Sequence, residues 1–309
     1  MMMMRRIRWN KLIPRQSLQV CGVRYLSDGA GSPSRFADFG FKEVSRDEKE
    51  KLVRGVFSSV ASKYDIMNDF MSLGTHRLWK DEFVNMIGYE DAAKVDPDYI
   101  PRHLDVAGGT GDIAFRSALE MNRLYGSNLQ TAIQSNQYDK VEDRPIVVCD
   151  INPEMLAVGR SRAAEQVGQD KVNMLGFIEG NAEKLPFPDN SFDLYTIAFG
   201  LRNVTNKDVA IREAFRVLKK GGRIMILEFS HVPNSLISQV YDQFSFQIIP
   251  KIGKMVANDE ASYQYLVESI RRFPKQEELL KMLSNEGFSC CNYVNFTFGV
   301  VAVHSGFKL

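Results

Sequence analysis

The chain has 309 residues, 44% of them hydrophobic, and a formal net charge of +1. That is enough apolar material for one large or two small domains, and the charge gives no reason to expect nucleic acid as a partner. The cysteines Cys21, Cys149, Cys290 and Cys291 lack zinc-ligand or paired-redox spacing, so they read as reduced core residues in a reducing compartment, and no metal is expected.

Residues 1–27 differ in kind from the rest. Arg5, Arg6, Arg8, Lys11, Arg15 and Arg24 come before the first acid, Asp28, and are interleaved with Ile7, Leu12, Ile13, Leu18 and Val20. An Arg-rich, acid-free stretch without a continuous apolar run reads as a mitochondrial transit peptide, with a disordered basic tail as the alternative. Residues 28–40 are expected to be a linker and 41–309 one domain, with cap helices over 41–100 and a core over 101–309.

Ser45 and Glu48 form a capping-box pattern ahead of Leu52, Val53, Val56, Phe57 and Val60 at helical spacing. A second helical pattern carries Leu78, Trp79, Phe83, Met86 and Ile87, and two such helices before the first long strand suit a cap over a site at the sheet edge. Between them Tyr64, Asn68 and Asp69 are either turn residues or pocket-lining ones. An apolar strand then ends at Asp105 and enters Gly108-Gly109-Thr110-Gly111-Asp112, followed by a helix over 113–124. Glycines let the backbone turn tightly and a ligand approach closely, and free N–H groups at the helix start would attract polar or anionic groups. The loop also fits a dinucleotide fingerprint, so by itself it says only "nucleotide".

From there strand and helix alternate, the pattern of a mostly parallel sheet covered on both faces. Residues 126–144 are polar, Gln/Asn-rich and without clear period, and read as a surface insertion. Strands are expected over 146–150, 172–178, 194–199 and 223–229, and Asn152-Pro153 opens a helix as N-cap and first residue. A helix over 208–218 precedes the fifth strand. Helical patterns follow at 237–249, 259–272 and from Pro274 to Gly287, and apolar runs over 288–296 and 299–307 complete the sheet. In such folds the ligand lies outside the carboxyl ends of the strands. Asp105, Asp150, Asn181-Ala182 and Arg202-Asn203 stand there, with Asp150 suited to both ribose hydroxyls and Asn181 to an adenine edge.

Residues 180–193 and 216–223 resemble the later motifs of class I S-adenosylmethionine-dependent methyltransferases, a family that usually has Asp where Asn181 stands and Gly where Ala107 stands. Residues 57–69, 72–77 and 262–270, with Phe199-Gly200-Leu201-Arg202-Asn203-Val204, are more specifically similar to the ubiquinone/menaquinone-biosynthesis C-methyltransferases. The resemblance implies an α/β, Rossmann-like seven-stranded sheet, mostly parallel, with N-terminal cap helices. It implies S-adenosylmethionine as methyl donor, held by Asp105, Gly108, Gly109, Thr110, Gly111, Asp150, Ile151, Asn181, Ala182 and Ala198. It implies a polyprenyl methoxybenzoquinol as acceptor, association with other ubiquinone-biosynthesis proteins, and a peripheral position on the matrix face of the mitochondrial inner membrane.

Carbon methylation needs an electron-rich ring, so the neighbouring phenol must lose its proton as the reaction proceeds. Arg202 is the candidate cation that stabilises the phenolate, Asn203 holds the ring oxygens, and Tyr64 or Asp69 relays the proton, with His231 a rival base. Tyr241, Phe244, Ile248, Ile249, Ile252 and Met255 offer an apolar wall for a prenyl tail, or else ordinary core or a homodimer interface. A nicotinamide oxidoreductase and an idle scaffold on the same fold are the competing classes.

Overall fold

The computed structural model describes residues 36–60, 68–69, 72, 74–135, 138–234, 243 and 260–309. The expected transit peptide, Tyr64 and the apolar stretch from Tyr241 to Met255 lie outside the described residues.

The chain enters through an antiparallel hairpin, β1 (Phe36–Phe39) and β2 (Lys42–Ser45), in place of the last part of the expected linker. Gly40 opens its two-residue loop at φ 61°, a conformation glycine adopts without strain. Ser45 then caps α1 (Arg46–Val60), its hydroxyl accepting from the Glu48 N–H at 3.3 Å. The second cap helix, α2 (Thr75–Asn85), buries Trp79, Lys80, Phe83 and Val84, and the short α3 (Tyr89–Val95) leads into the sheet.

Seven strands follow: β3 (His103–Val106), β4 (Ile146–Asp150), β5 (Leu175–Glu179), β6 (Phe192–Ala198), β7 (Leu218–Phe229), β8 (Ser289–Phe296) and β9 (Val301–Phe307). Their order is β5-β4-β3-β6-β7-β9-β8. The first five pair in parallel, and β9 runs antiparallel between β7 and β8. The chain works outward from β3 through β4 to β5, then returns to β6 on the other side. The order therefore reverses at β3, where open α/β sheets hold their ligands.

Helices α4 (Asp112–Gln134) and α5 (Pro153–Val167) pack with α2 and α3 on one face. Helices α6 (Lys207–Val217) and α8 (Gln276–Asn285) cover the other, and α7 (Glu260–Arg272) adds Tyr263, Leu266 and Val267 to the first. Two elements depart from expectation. The helix expected to stop at residue 124 runs to Gln134, because Tyr125, Leu129 and Ala132 continue its buried stripe through the Gln/Asn-rich stretch. The third strand starts at Leu175, since a 3-10 helix (Gln169–Met174) takes up the residues before it.

Candidate cofactor and substrate site

A cleft open to solvent lies at the carboxyl ends of β3 to β6 beneath α1 and α2. It brings together Asp105, Gly108, Gly109 and Thr110 from the glycine turn, Asp150 and Ile151 after β4, Asn181 and Ala182 after β5, and Ala198 and Asn203 after β6. Gly111 is not among the lining residues. At φ 84° it forms the left-handed cap of α4, so it shapes the turn rather than touching the cleft.

The turn is built to be narrow. A Cβ on Gly108 would stand 2.7 Å from Asp105 Oδ2 and 2.8 Å from Val148 Cγ1, and one on Gly200 would stand 2.5 Å from the Ala107 methyl. Gly200 thus makes room for the side chain of Ala107, itself at φ 50°. Three N–H groups of the turn are engaged within the protein. Gly109 donates to Asp150 Oδ2 at 2.9 Å, Gly111 to Gly108 O at 2.8 Å, and Gly108 to Cys149 O at 3.4 Å.

Asp150 also accepts from the Asn152 N–H at 2.8 Å, and burial raises its pKa to about 6, leaving it mostly ionised at neutral pH. Asn152 caps α5, accepting from Glu154 and Met155, while its amide nitrogen donates to Ser58 Oγ at 3.1 Å and Arg54 O at 3.4 Å. One side chain thus starts a helix and ties the cap to the core. Asn152→Ala is expected to lower stability by about 1–2 kcal/mol in urea titration, the usual cost of a lost cap. Asn181 accepts from the Glu183 N–H at 2.8 Å, which leaves its amide N–H₂ for a ligand. The motif residue Arg216 clamps the segment that follows, reaching Leu185 O, Phe187 O, Glu213 and Asp189.

Three expected catalytic groups sit differently. Arg202 does not line the cleft: its guanidinium is 3% exposed and donates to Glu228 Oε1 at 2.7 Å and to Phe199 O, so it is no free cation. Glu228 also accepts from the backbone N–H groups of Arg202 and Phe229. Asp69 is held by His76 at 2.8 Å and by Arg77 in a two-pronged pair, and the hydrogen bonds from these partners push its pKa well below the carboxylate range. Such a carboxylate makes a poor proton relay, and it does not line the cleft. His231, the rival base, donates from Nε2 to Phe273 O at 2.8 Å and does not line the cleft. Asn203 does face the cleft, and Tyr265 donates to its Oδ1 at 3.0 Å.

Several lining residues went unread in the sequence. Glu50, Val53, Arg54 and Phe57 descend from α1 and Lys80 from α2. Lys80 is 4% exposed and donates to Asp112 Oδ2 at 2.5 Å. The signal was present: Lys80, Phe83, Val84 and Ile87 follow helical spacing, and a lysine in a buried stripe asks for a partner. Lys49, 2% exposed, likewise fastens α1 to the core through Val204 O at 3.3 Å.

The charge of the cleft separates the nucleotide classes. Glu50, Asp105, Asp112, Asp150 and Glu183 line it against Arg54 and Lys80. Five carboxylates against two cations disfavour a pyrophosphate and suit a nucleoside bearing positive charge. Asp105 Oδ2, buried at the cleft without a hydrogen-bond partner among the described residues, points the same way. Among the described residues no group of three or more His, Cys, Asp or Glu side chains is placed to hold a metal, and no helix is long and apolar enough to cross a membrane.

Sheet order, glycine turn and acidic nucleoside cleft define a class I S-adenosylmethionine-dependent methyltransferase. A solved Thermotoga maritima S-adenosylmethionine-dependent methyltransferase has the same fold, with TM-score 0.52 and 17% identity over 83% of this chain and all of that one. The chain belongs to the ubiE/COQ5 methyltransferase family, whose model matches residues 43–308. It is 51% identical to the rice protein named 2-methoxy-6-polyprenyl-1,4-benzoquinol methylase, mitochondrial, over 89% of this chain and 90% of that one. The human protein of that name is 50% identical over 88% and 84% of the two chains. The ubiquinone/menaquinone biosynthesis C-methyltransferase of Agrobacterium fabrum is 49% identical over 88% and 94%.

Proposed function

We propose that this chain transfers a methyl group from S-adenosylmethionine to the ring carbon of 2-methoxy-6-polyprenyl-1,4-benzoquinol in ubiquinone biosynthesis. The observation that carries the reading is the acidic cleft at the glycine turn, with Asn203 after β6 among its lining residues. The names and identity of the relatives supply the acceptor.

S-adenosylmethionine supplies an electrophilic methyl group when bound. Asp150 accepts from both ribose hydroxyls, Asn181 and Ala182 hold the adenine, and Ile151 and Ala198 close the apolar sides. Lys80 faces the carboxylate of the donor's amino-acid arm. With a phenol pKa of about 10, little quinol is ionised at neutral pH, so the protein must stabilise the oxyanion as the ring carbon attacks. Asn203 does this: Tyr265 holds its carbonyl oxygen and so turns its N–H₂ toward the acceptor. Arg202 supports rather than touches, its pair with Glu228 holding the 3-10 turn (Leu201–Asn203) that presents Asn203. Tyr64 is the proposed proton relay. Helices α1 and α2 close over the reactants, and holding donor and acceptor in line supplies much of the rate.

We infer that the chain works in mitochondria, delivered by residues 1–27 as a transit peptide and acting against the matrix face of the inner membrane with other ubiquinone-biosynthesis proteins. The test is incubation with methyl-labelled S-adenosylmethionine and a short-tail 2-methoxy-1,4-benzoquinol. One label on a ring carbon, found by mass spectrometry, is expected; NADH oxidation without methyl transfer would overturn the reading. Asn203→Ala is expected to cut turnover about a hundredfold, the loss of one oxyanion donor, with donor affinity within about threefold of wild type.

A further inference from the structure

Beneath the glycine turn runs a row of buried polar side chains that the reading above does not use. Tyr89 OH lies 2.8 Å from His103 Nδ1, His103 Nε2 lies 2.7 Å from Thr196 Oγ1, and Thr196 donates to Asp105 Oδ1 at 2.7 Å. All four residues are at most 2% exposed. The direction of the chain follows from the inventory of protons. The single hydroxyl proton of Thr196 goes to the carboxylate, so its oxygen accepts from His103 Nε2–H. That leaves Nδ1 of the neutral ring to accept from the Tyr89 O–H. Burial lowers the His103 pKa to about 3 and raises that of Tyr89, so neither ring changes its charge near neutral pH. At the far end Asp105 Oδ2 has no hydrogen-bond partner among the described residues, and Asp105 lines the cleft. The Gly108 site cannot carry a Cβ because it would meet that oxygen at 2.7 Å.

We infer that His103, gripped between Tyr89 and Thr196, is a positioning residue for donor binding: the row engages one oxygen of Asp105 and presents the other to a cationic group on the donor's amino-acid arm. The inference rests on S-adenosylmethionine being the donor. The charged groups facing Asp105 are Asp150 from β4, which opposes its ionisation, and Lys80 from α2, which favours it. Burial outweighs Lys80, the Thr196 hydroxyl and the nearby Ala114 N–H, which all favour the ionised form, and raises the pKa of Asp105 to about 7. A cation bound at Oδ2 favours the ionised form, so donor binding near neutral pH expels a proton.

Calorimetric titration in buffers of different ionisation heat tests this, with S-adenosylmethionine and with 5′-methylthioadenosine, which lacks the amino-acid arm. For the wild type, net proton release at pH 7 and about tenfold weaker S-adenosylmethionine binding at pH 6 than at pH 8 are expected, as a carboxyl titrating near 7 requires. Thr196→Val, close to isosteric, is expected to weaken S-adenosylmethionine about tenfold and to move the midpoint of its pH profile upward, leaving 5′-methylthioadenosine unchanged. His103→Leu should shift both readings the same way. A Thr196→Val protein with wild-type affinity and midpoint, or one that loses both ligands equally, would overturn the inference and leave the proposed function standing. A wild type that does not bind S-adenosylmethionine at all would overturn both.

Discussion

Asp150→Ala is expected to weaken S-adenosylmethionine binding by about a hundredfold, because two hydroxyl donors lose a charged acceptor worth about 1.5 kcal/mol or more each. The same substitution frees the Gly109 and Asn152 N–H groups, which both rest on this carboxylate, so the turn loosens as well. Isothermal titration reads the effect, and a change under threefold would contradict the ribose assignment. The sign of the pH dependence is fixed by burial. The folded-state pKa values of Asp150 and Asp105, about 6 and about 7, lie above the ordinary carboxylate value. The stability these groups lend the ligand-free fold is therefore fully present below about pH 4, the ordinary carboxylate value, and is lost progressively as pH rises to about 6 for Asp150 and about 7 for Asp105. A cationic ligand favours the ionised forms, so the rise in melting temperature on adding donor should be larger at pH 8 than at pH 6. Equal shifts at both would show that neither carboxylate faces the ligand.

The second large effect concerns the pair behind the site. Glu228→Gln leaves the Arg202 guanidinium buried without its counter-charge and is expected to cost about 3–5 kcal/mol of stability in denaturant unfolding. Arg202→Met combined with Glu228→Gln removes both charges and is expected to regain most of that loss, since a buried pair replaced as a unit is often neutral. If Arg202 acts by holding the turn that carries Asn203, turnover of the double variant should return to within about tenfold of wild type, a residual deficit of about 1.4 kcal/mol in the barrier. A stable double variant without turnover would show that the guanidinium acts on the acceptor itself.

Much of the site was legible because its groups follow apolar runs. Asp105 and Asp150 each end a strand of buried residues, and Asn152-Pro153 announces the helix it caps. What escaped depends on contacts distant in sequence. Arg202 and Glu228 are 26 residues apart and meet because β6 and β7 pair in parallel, bringing the segments after Ala198 and at the end of β7 side by side. Placing β9 between β7 and β8 also depends on pairing that no local period encodes. Residues 125–134 were misread for a different reason: Gln and Asn alternate with Leu129 and Ala132, and the polar majority masks a stripe only one residue wide. The role of the hairpin could not be read locally either. Phe39 stacks on Tyr265 at 4.2 Å and the Phe41 N–H donates to Glu268 Oε2 on α7 at 2.9 Å, so the entry of the chain steadies the helix that orients Asn203.

A crystal structure of the protein with S-adenosylhomocysteine tests the central claim most directly. The account predicts ribose hydroxyls on Asp150, adenine beside Asn181 and Ala182, the amino group within hydrogen-bond distance of Asp105 Oδ2, and the sulfur facing the opening beside Asn203. A nucleoside turned end for end, or bound away from the ends of β3, β4 and β5, would contradict it.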